Sequence, residues 1–378
     1  MSFYSVPLPE LHPSPGTLIA IQELTEESPD PERIMALALN DHAELWKLNL
    51  HTGVTERILQ TNIPDLNLLH PVQIVISPDG AVAAVSNVYG QHAAVYDLLD
   101  GKEILQLSRD DYHYDVSTYP LSFAYIDQRL ILVHGTEWNR LDLTDVLLGE
   151  SLTVRHTPIH HNDSSQNTDE PDTSEHYLDY FHGKLSVSPD QKWIVDSGWV
   201  WAPLGITRSW SLENWLSHVW ESEDGSSIHD LWQTMDWDLP SAWIAPHTIA
   251  IWGQVDEEMV DEEDWEEEGV SPAIIFFNAQ TGERIGVITS VPAFNTTSPI
   301  EGVFPHAQAG MAADEDTLFT WRHGLDLHVW NCPTLTCIAT TTEVHPQLYH
   351  HQAKLFIGLS TEDAPHRLLA WRYDLDKA

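Results

Sequence analysis

The sequence predicts an all-β chain: a seven-bladed β-propeller of four-stranded antiparallel blades, closed by its N-terminal strand. Three observations lead there. A short unit recurs, in which alternating apolar residues end in an apolar or aromatic residue, then Asn, Asp or Ser, then a further mostly apolar residue and often a Gly turn. Its copies begin at residues 48, 96, 141, 210, 277, 330 and 373, and most intervals sit near the ~40 to 50 residues of a four-stranded blade. Finally, 378 residues exceed a typical single core, which favours an architecture that grows by repetition.

The clearest copies are Leu48-Asn49-Leu50 with Gly53, Tyr96-Asp97-Leu98 with Gly101, and Phe277-Asn278-Ala279 with Gly282. Weaker ones are Leu141-Asp142-Leu143, Trp210-Ser211-Leu212, Trp330-Asn331-Cys332 and Tyr373-Asp374-Leu375. A second marker lies upstream of two copies. Ser77-Pro78-Asp79-Gly80 joins two strands of period-2 alternation, and Ser188-Pro189-Asp190-Gln191 repeats the construction. Proline presets one turn dihedral there, and glycine accepts the strained one. These residues resemble the WD40-like propellers, in which an inner strand ends in Ser-Pro-Asp-Gly and the third strand ends in an aromatic-Asp pair. The resemblance implies one ring-shaped domain spanning residues 1–378.

Assigned in order, the blades cover about 17–60, 71–107, 120–154, 182–221, 241–289, 302–341 and 347–376. The last lacks a fourth strand, which residues 2–8 supply from the N-terminus. Such closure removes a loose seam, and the prolines at positions 7 and 9 suit an edge strand.

Three segments leave the repeat. Residues 155–181 contain a polar, acidic stretch expected to be a mobile loop. Leu212, Trp215, Leu216, Val219 and Trp220 have the spacing of a short amphipathic helix, with Trp232, Trp237 and Trp243 beyond it. These aromatics either pack on the rim of the ring or offer a patch to a partner. Residues 256–268 are an acidic excursion that repels itself and must project from blade five.

Composition narrows the function. The net charge of −41, from 17 basic and 58 acidic residues, excludes nucleic acid and anionic membranes as partners. A protein with a basic surface fits instead. No spanning run and no signal segment are visible, so a cytoplasmic monomer is expected. Cys332 and Cys337 flank a short turn and are expected to stay reduced. The 22 histidines include His345 with the pair His350-His351, but no spacing presents ligands on one face, so neither metal nor other cofactor is expected. Phosphate-binding and nucleophile-elbow motifs are missing from the sequence.

The reading is a non-enzymatic acidic propeller that serves as a protein-interaction platform, in one version an immunity or antitoxin-like inhibitor of a cationic protein. Asp261, Glu262, Glu263, Asp264 and Glu266 would supply the field and Trp265 the anchor, with Trp215 and Trp220 as a second aromatic site. The alternative is a propeller-type hydrolase or lyase, metal-dependent or not. Its site would be assembled from several blades at the central funnel, an arrangement that leaves no local motif.

Overall fold

The computed structural model describes residues 2–25, 33–155, 176–201, 203–255, 271–293, 309–360 and 367–374. They form seven four-stranded antiparallel sheets arranged as a ring. Blade one runs from Leu18 to Gln60, blade two from Val72 to Ser108, blade three from Leu121 to Ser151 and blade four from Phe181 to Thr234. Blade five spans Ser241 to Ile288, blade six Ala309 to Thr341, and blade seven Leu348 to Asp374 together with Ser2–Ser5. The N-terminal strand closes the ring: Ser2 pairs with Asp374 and Ser5 with Trp371, while Phe3 packs on Phe356 at 5.7 Å and Tyr373 at 4.9 Å.

A propeller sheet is covered on both faces by its neighbours, which accounts for the near-continuous apolar second strands. Met35–Asn40 and Val82–Asn87 are buried at every position. Leu37 and Leu39 of blade one pack against Val85, Ala94 and Tyr96 of blade two, and Ile275 of blade five shares a core with Leu318 and Trp330 of blade six.

The recurrent unit is the turn between third and fourth strands. In blade one the Asn49 side chain accepts from the amides of His51 and Thr52, and Gly53 closes the turn at φ 77. Asp97 and Asn278 do the same for blades two and five. The following residue then donates to the hairpin between first and second strands: Leu50 to Ile34, Leu98 to Ala81, Ala279 to His247. Each unit thereby ties its blade's two hairpin turns together on one end of the ring, here termed the turn face. In both Ser-Pro-Asp turns the serine hydroxyl holds the aspartate, at 2.6 Å for Ser77 and 2.7 Å for Ser188. They also bridge blades, because Tyr125 of blade three donates its hydroxyl to Asp79 and its amide to Gln191.

Three local expectations are corrected. In blade three the turn is built on Asp145, whose carboxylate accepts from Leu147 and Leu148, and Asp142 belongs to a buried ion network instead. In blade four Ser211 caps the helix Leu212–Ser217, so the chain detours before the fourth strand forms at His229–Thr234, beyond the expected 182–221 span. In the His350-His351 pair, the strand ends at His350 and the chain turns, so both rings reach the same carboxylate, Glu23. Cys332 and Cys337 carry free thiols, and burial pushes that of Cys332 up to about 11.

The opposite end carries the connections between second and third strands and those between blades. It is termed the loop face. Residues 156–175, 256–270, 294–308 and 361–366 all join strand ends that open onto it.

Candidate functional site

The loop face over blades three and four carries a cluster of aromatic rings. Its base is a stack: Phe181, at the start of the inner strand of blade four, lies 4.0 Å from Trp199 with planes 10° apart, and Trp199 lies 5.2 Å from Trp237. These three are buried. Above them Tyr112 stacks on Phe181 at 5.8 Å, Trp201 meets Trp199 edge-on at 5.3 Å, and His113 meets Trp201 edge-on at 4.8 Å. Trp138 of blade three completes the group, 4.6 Å from Phe181. Tyr112 and Trp201 remain 45% and 46% exposed, and Met235, two residues before Trp237, is 55% exposed. The rings therefore form a surface seated on a rigid base.

The same segments are acidic. Asp110, Asp111 and Asp115 flank Tyr112 in its loop, Glu137 precedes Trp138, and Asp179 lies two residues before Phe181. No lysine or arginine occurs in residues 110–118, 136–139, 177–183 or 199–201.

Two buried charged groups hold this surface in shape. The Arg109 guanidinium donates to the carbonyls of Gly90, Tyr114, Ser117 and Thr118, and so wraps the loop that carries Tyr112 and His113. Burial pushes its pKa down to about 10. Asp238, in the loop leaving blade four, accepts from the Thr118 amide at 2.8 Å and from the Lys184 amide at 2.8 Å, while its own amide donates to Ser197. It thus pins the Tyr112 loop to the inner and second strands of blade four. Burial raises its pKa to about 6, even though both amides favour the carboxylate. Trp237 adds a tie by donating its indole N–H to Val116 at 2.6 Å.

Close approach needs glycine at two places beneath the cluster. A Cβ on Gly183 would lie 2.3 Å from the Ser197 carbonyl oxygen, and one on Gly198 2.2 Å from that of Phe181. Between these strands His182 Nδ1 pairs with Asp196 at 2.6 Å, with both side chains sealed from solvent. In this position the pair ties the inner strand of blade four to its second strand.

The central channel opens beneath. A cavity of about 240 Å³ is lined by the inner strands of blades one to four, including Gln22, Gln73, Ser122 and Lys184.

Of the sequence-derived site residues, Asp261, Glu262, Glu263, Asp264, Trp265 and Glu266 lie outside the described residues. The strand ends that flank them, Val255 and Ser271, open onto the loop face. Trp215 has no exposed surface; it meets Trp210 edge-on at 5.6 Å within the core shared by blades three and four. Trp220 is half-buried, with the Arg155 guanidinium 5.1 Å over its ring and His176 stacked on it at 4.4 Å. Arg155 in turn joins Asp142 at 3.0 Å and Glu223, so Trp220 belongs to a clasp between the two blades. Trp232 and Trp237 are buried between strands, while Trp243 donates to Ser186. Tyr112, His113, Trp138 and Trp201 escaped the sequence reading because none of them lies in a periodic segment. The run Asp110-Asp-Tyr-His-Tyr-Asp115, aromatics between acids, was the available signal.

No protein-family model matches this chain, and no curated protein is significantly similar to it. Among the described residues no helix is long and apolar enough to cross a membrane, and no three His, Cys, Asp or Glu side chains converge as a metal site.

Proposed function

We propose that the protein is a non-enzymatic interaction platform that captures a partner with a basic surface on its loop face. The observation that carries this reading is the pairing of exposed Tyr112 and Trp201 with acidic neighbours on a pre-organised base. Aromatic side chains and methionine anchor interfaces, whereas surrounding charge governs encounter rate and salt dependence. A net charge of −41 supplies long-range attraction for a cationic protein, of which a toxin neutralised by an immunity-type inhibitor is one version. Residues 261–266, which lie outside the described residues, would supply steering charge in this reading, because the strand ends that flank the segment, Val255 and Ser271, open onto the same face.

Immobilised basic, neutral and acidic synthetic peptides test the reading by surface plasmon resonance. Basic peptides are expected to bind the wild type, with affinity falling as salt rises. Tyr112→Ala and Trp201→Ala should speed dissociation, and replacing residues 256–268 by a Gly-Ser linker should slow association. Equal capture of all three peptide classes, or wild-type kinetics in every variant, would overturn it.

A further inference from the structure

The central channel holds a feature that the partner-binding face does not use. In a chain with 58 acids and only six lysines, one lysine, Lys184, projects from the inner strand of blade four into the 240 Å³ cavity. It is solvent-exposed there. The cavity wall contains no carboxylate; its polar part is Gln22, Gln73, Thr118 and Ser122, and the rest is mostly aliphatic, as at Ile74 and Leu185, with Tyr119 as its one aromatic residue. The Lys184 ammonium forms no ion pair or hydrogen bond with any described residue. Its nearest negative neighbour, Asp238, directs both oxygens at backbone amides instead. Desolvation by the surrounding channel wall lowers the pKa of the ammonium, and Asp238 offsets this only in part.

We propose that the channel is a binding site for a small monocarboxylate, whose carboxylate pairs with the Lys184 ammonium and whose short apolar stem lies on the aliphatic wall. The cavity is smaller than the roughly 300–1,000 Å³ of drug-sized sites, which limits the ligand to a few heavy atoms beyond the carboxylate. One ammonium with neutral amide and hydroxyl donors neutralises a single charge. A phosphate dianion would need further cations, and the surrounding −41 opposes it. Gln73 already donates to Ser86 and to the Tyr119 carbonyl, so Gln22 is the amide left to face the ligand.

Reductive ¹³C-methylation gives one resolved NMR signal for each of the six lysines and keeps their charge. Acetate and butyrate are titrated at constant ionic strength with chloride as the counter-titrant. The Lys184 signal, assigned by its loss in Lys184→Gln, is expected to shift saturably while that of exposed Lys102 does not. On unmodified protein, calorimetry should show affinity for butyrate falling about tenfold or more in Lys184→Gln, the loss expected for one desolvated charge-assisted contact. The proposal is overturned if Lys184 moves no more than Lys102, if phosphate or chloride saturates the site and carboxylates do not, or if Lys184→Gln binds butyrate as the wild type does. None of these outcomes bears on capture of basic peptides by the loop face.

Discussion

Burial of Asp238 beneath the loop face predicts a stability that falls as pH rises. Burial raises its pKa from 3.8 to about 6, so between those values the native state binds a proton that the unfolded chain has released. Stability attributable to this residue is therefore greatest at low pH and declines as pH rises through the window, by about 3 kcal/mol in full, at about 1.4 kcal/mol per pKa unit. Roughly half of that decline falls between pH 5 and 7.5, a range that lies above the sequence pI of about 4.5. Asp238→Asn removes the ionisation and keeps one acceptor for the Thr118 or Lys184 amide. Urea unfolding followed by tryptophan fluorescence at pH 5.0, 6.0, 7.0 and 7.5 compares the two proteins. The variant is expected to gain about 1 to 1.5 kcal/mol relative to wild type across this series, whatever its offset from the weakened second hydrogen bond. A difference that stays flat with pH, or that moves the other way, would show that the two amides outweigh burial and that Asp238 is an ordinary carboxylate.

The remaining predictions concern closure and clasps. Deleting residues 2–8 removes the outer strand of blade seven and uncovers Phe356 and Tyr373, so the melting temperature should fall sharply; an unchanged value would mean that the seam holds without its closing strand. Glu23, which accepts from the His351 ring at 2.9 Å and the Gln352 amide at 3.1 Å, seals blade seven to blade one. Its pKa is lowered by its histidine partners against the opposing effect of burial, while that of His351 is raised by Glu23. Glu23→Gln should cost about 2 to 4 kcal/mol near neutrality. The gap should narrow as acid protonates Glu23 and again as pH rises past the elevated His351 pKa, and a gap constant from pH 5 to 9 would refute the clasp. Arg155→Gln leaves Glu223 buried without its cation and Asp142 with Arg140 alone, and should lose about 3 kcal/mol in urea unfolding; a loss below 1 kcal/mol would mean that water replaces the guanidinium.

The repeat was legible because its chemistry is local. A turn whose Asn or Asp side chain caps its own backbone amides must occupy adjacent positions, so Asn49, Asp97 and Asn278 announce themselves in the sequence. Asp145 was hidden by the nearby Leu141-Asp142-Leu143, which imitates the pattern three residues too early. Only the structure shows that Asp142 meets Arg140 and Arg155 rather than a turn. In blade four, Ser211 fits the turn pattern and the helix cap equally well, and the missing glycine after it was the sign of the detour.

The loop face was illegible for the opposite reason. Thr118, Lys184, Ser197 and Asp238 lie on different strands and loops, up to 120 residues apart, and no spacing rule links them. The tryptophans misled for a related reason. Trp215 sits on an amphipathic helix, a pattern that reports an apolar face without saying whether the molecule itself covers it, and here the core shared by blades three and four covers it. Trp201 lies in no periodic segment, and it is exposed because the connection between second and third strands has no neighbouring blade above it. In a propeller, periodicity identifies the residues that neighbouring blades cover. Residues that the period passes over can stay exposed, and on the loop face they include Tyr112, Trp201 and Met235.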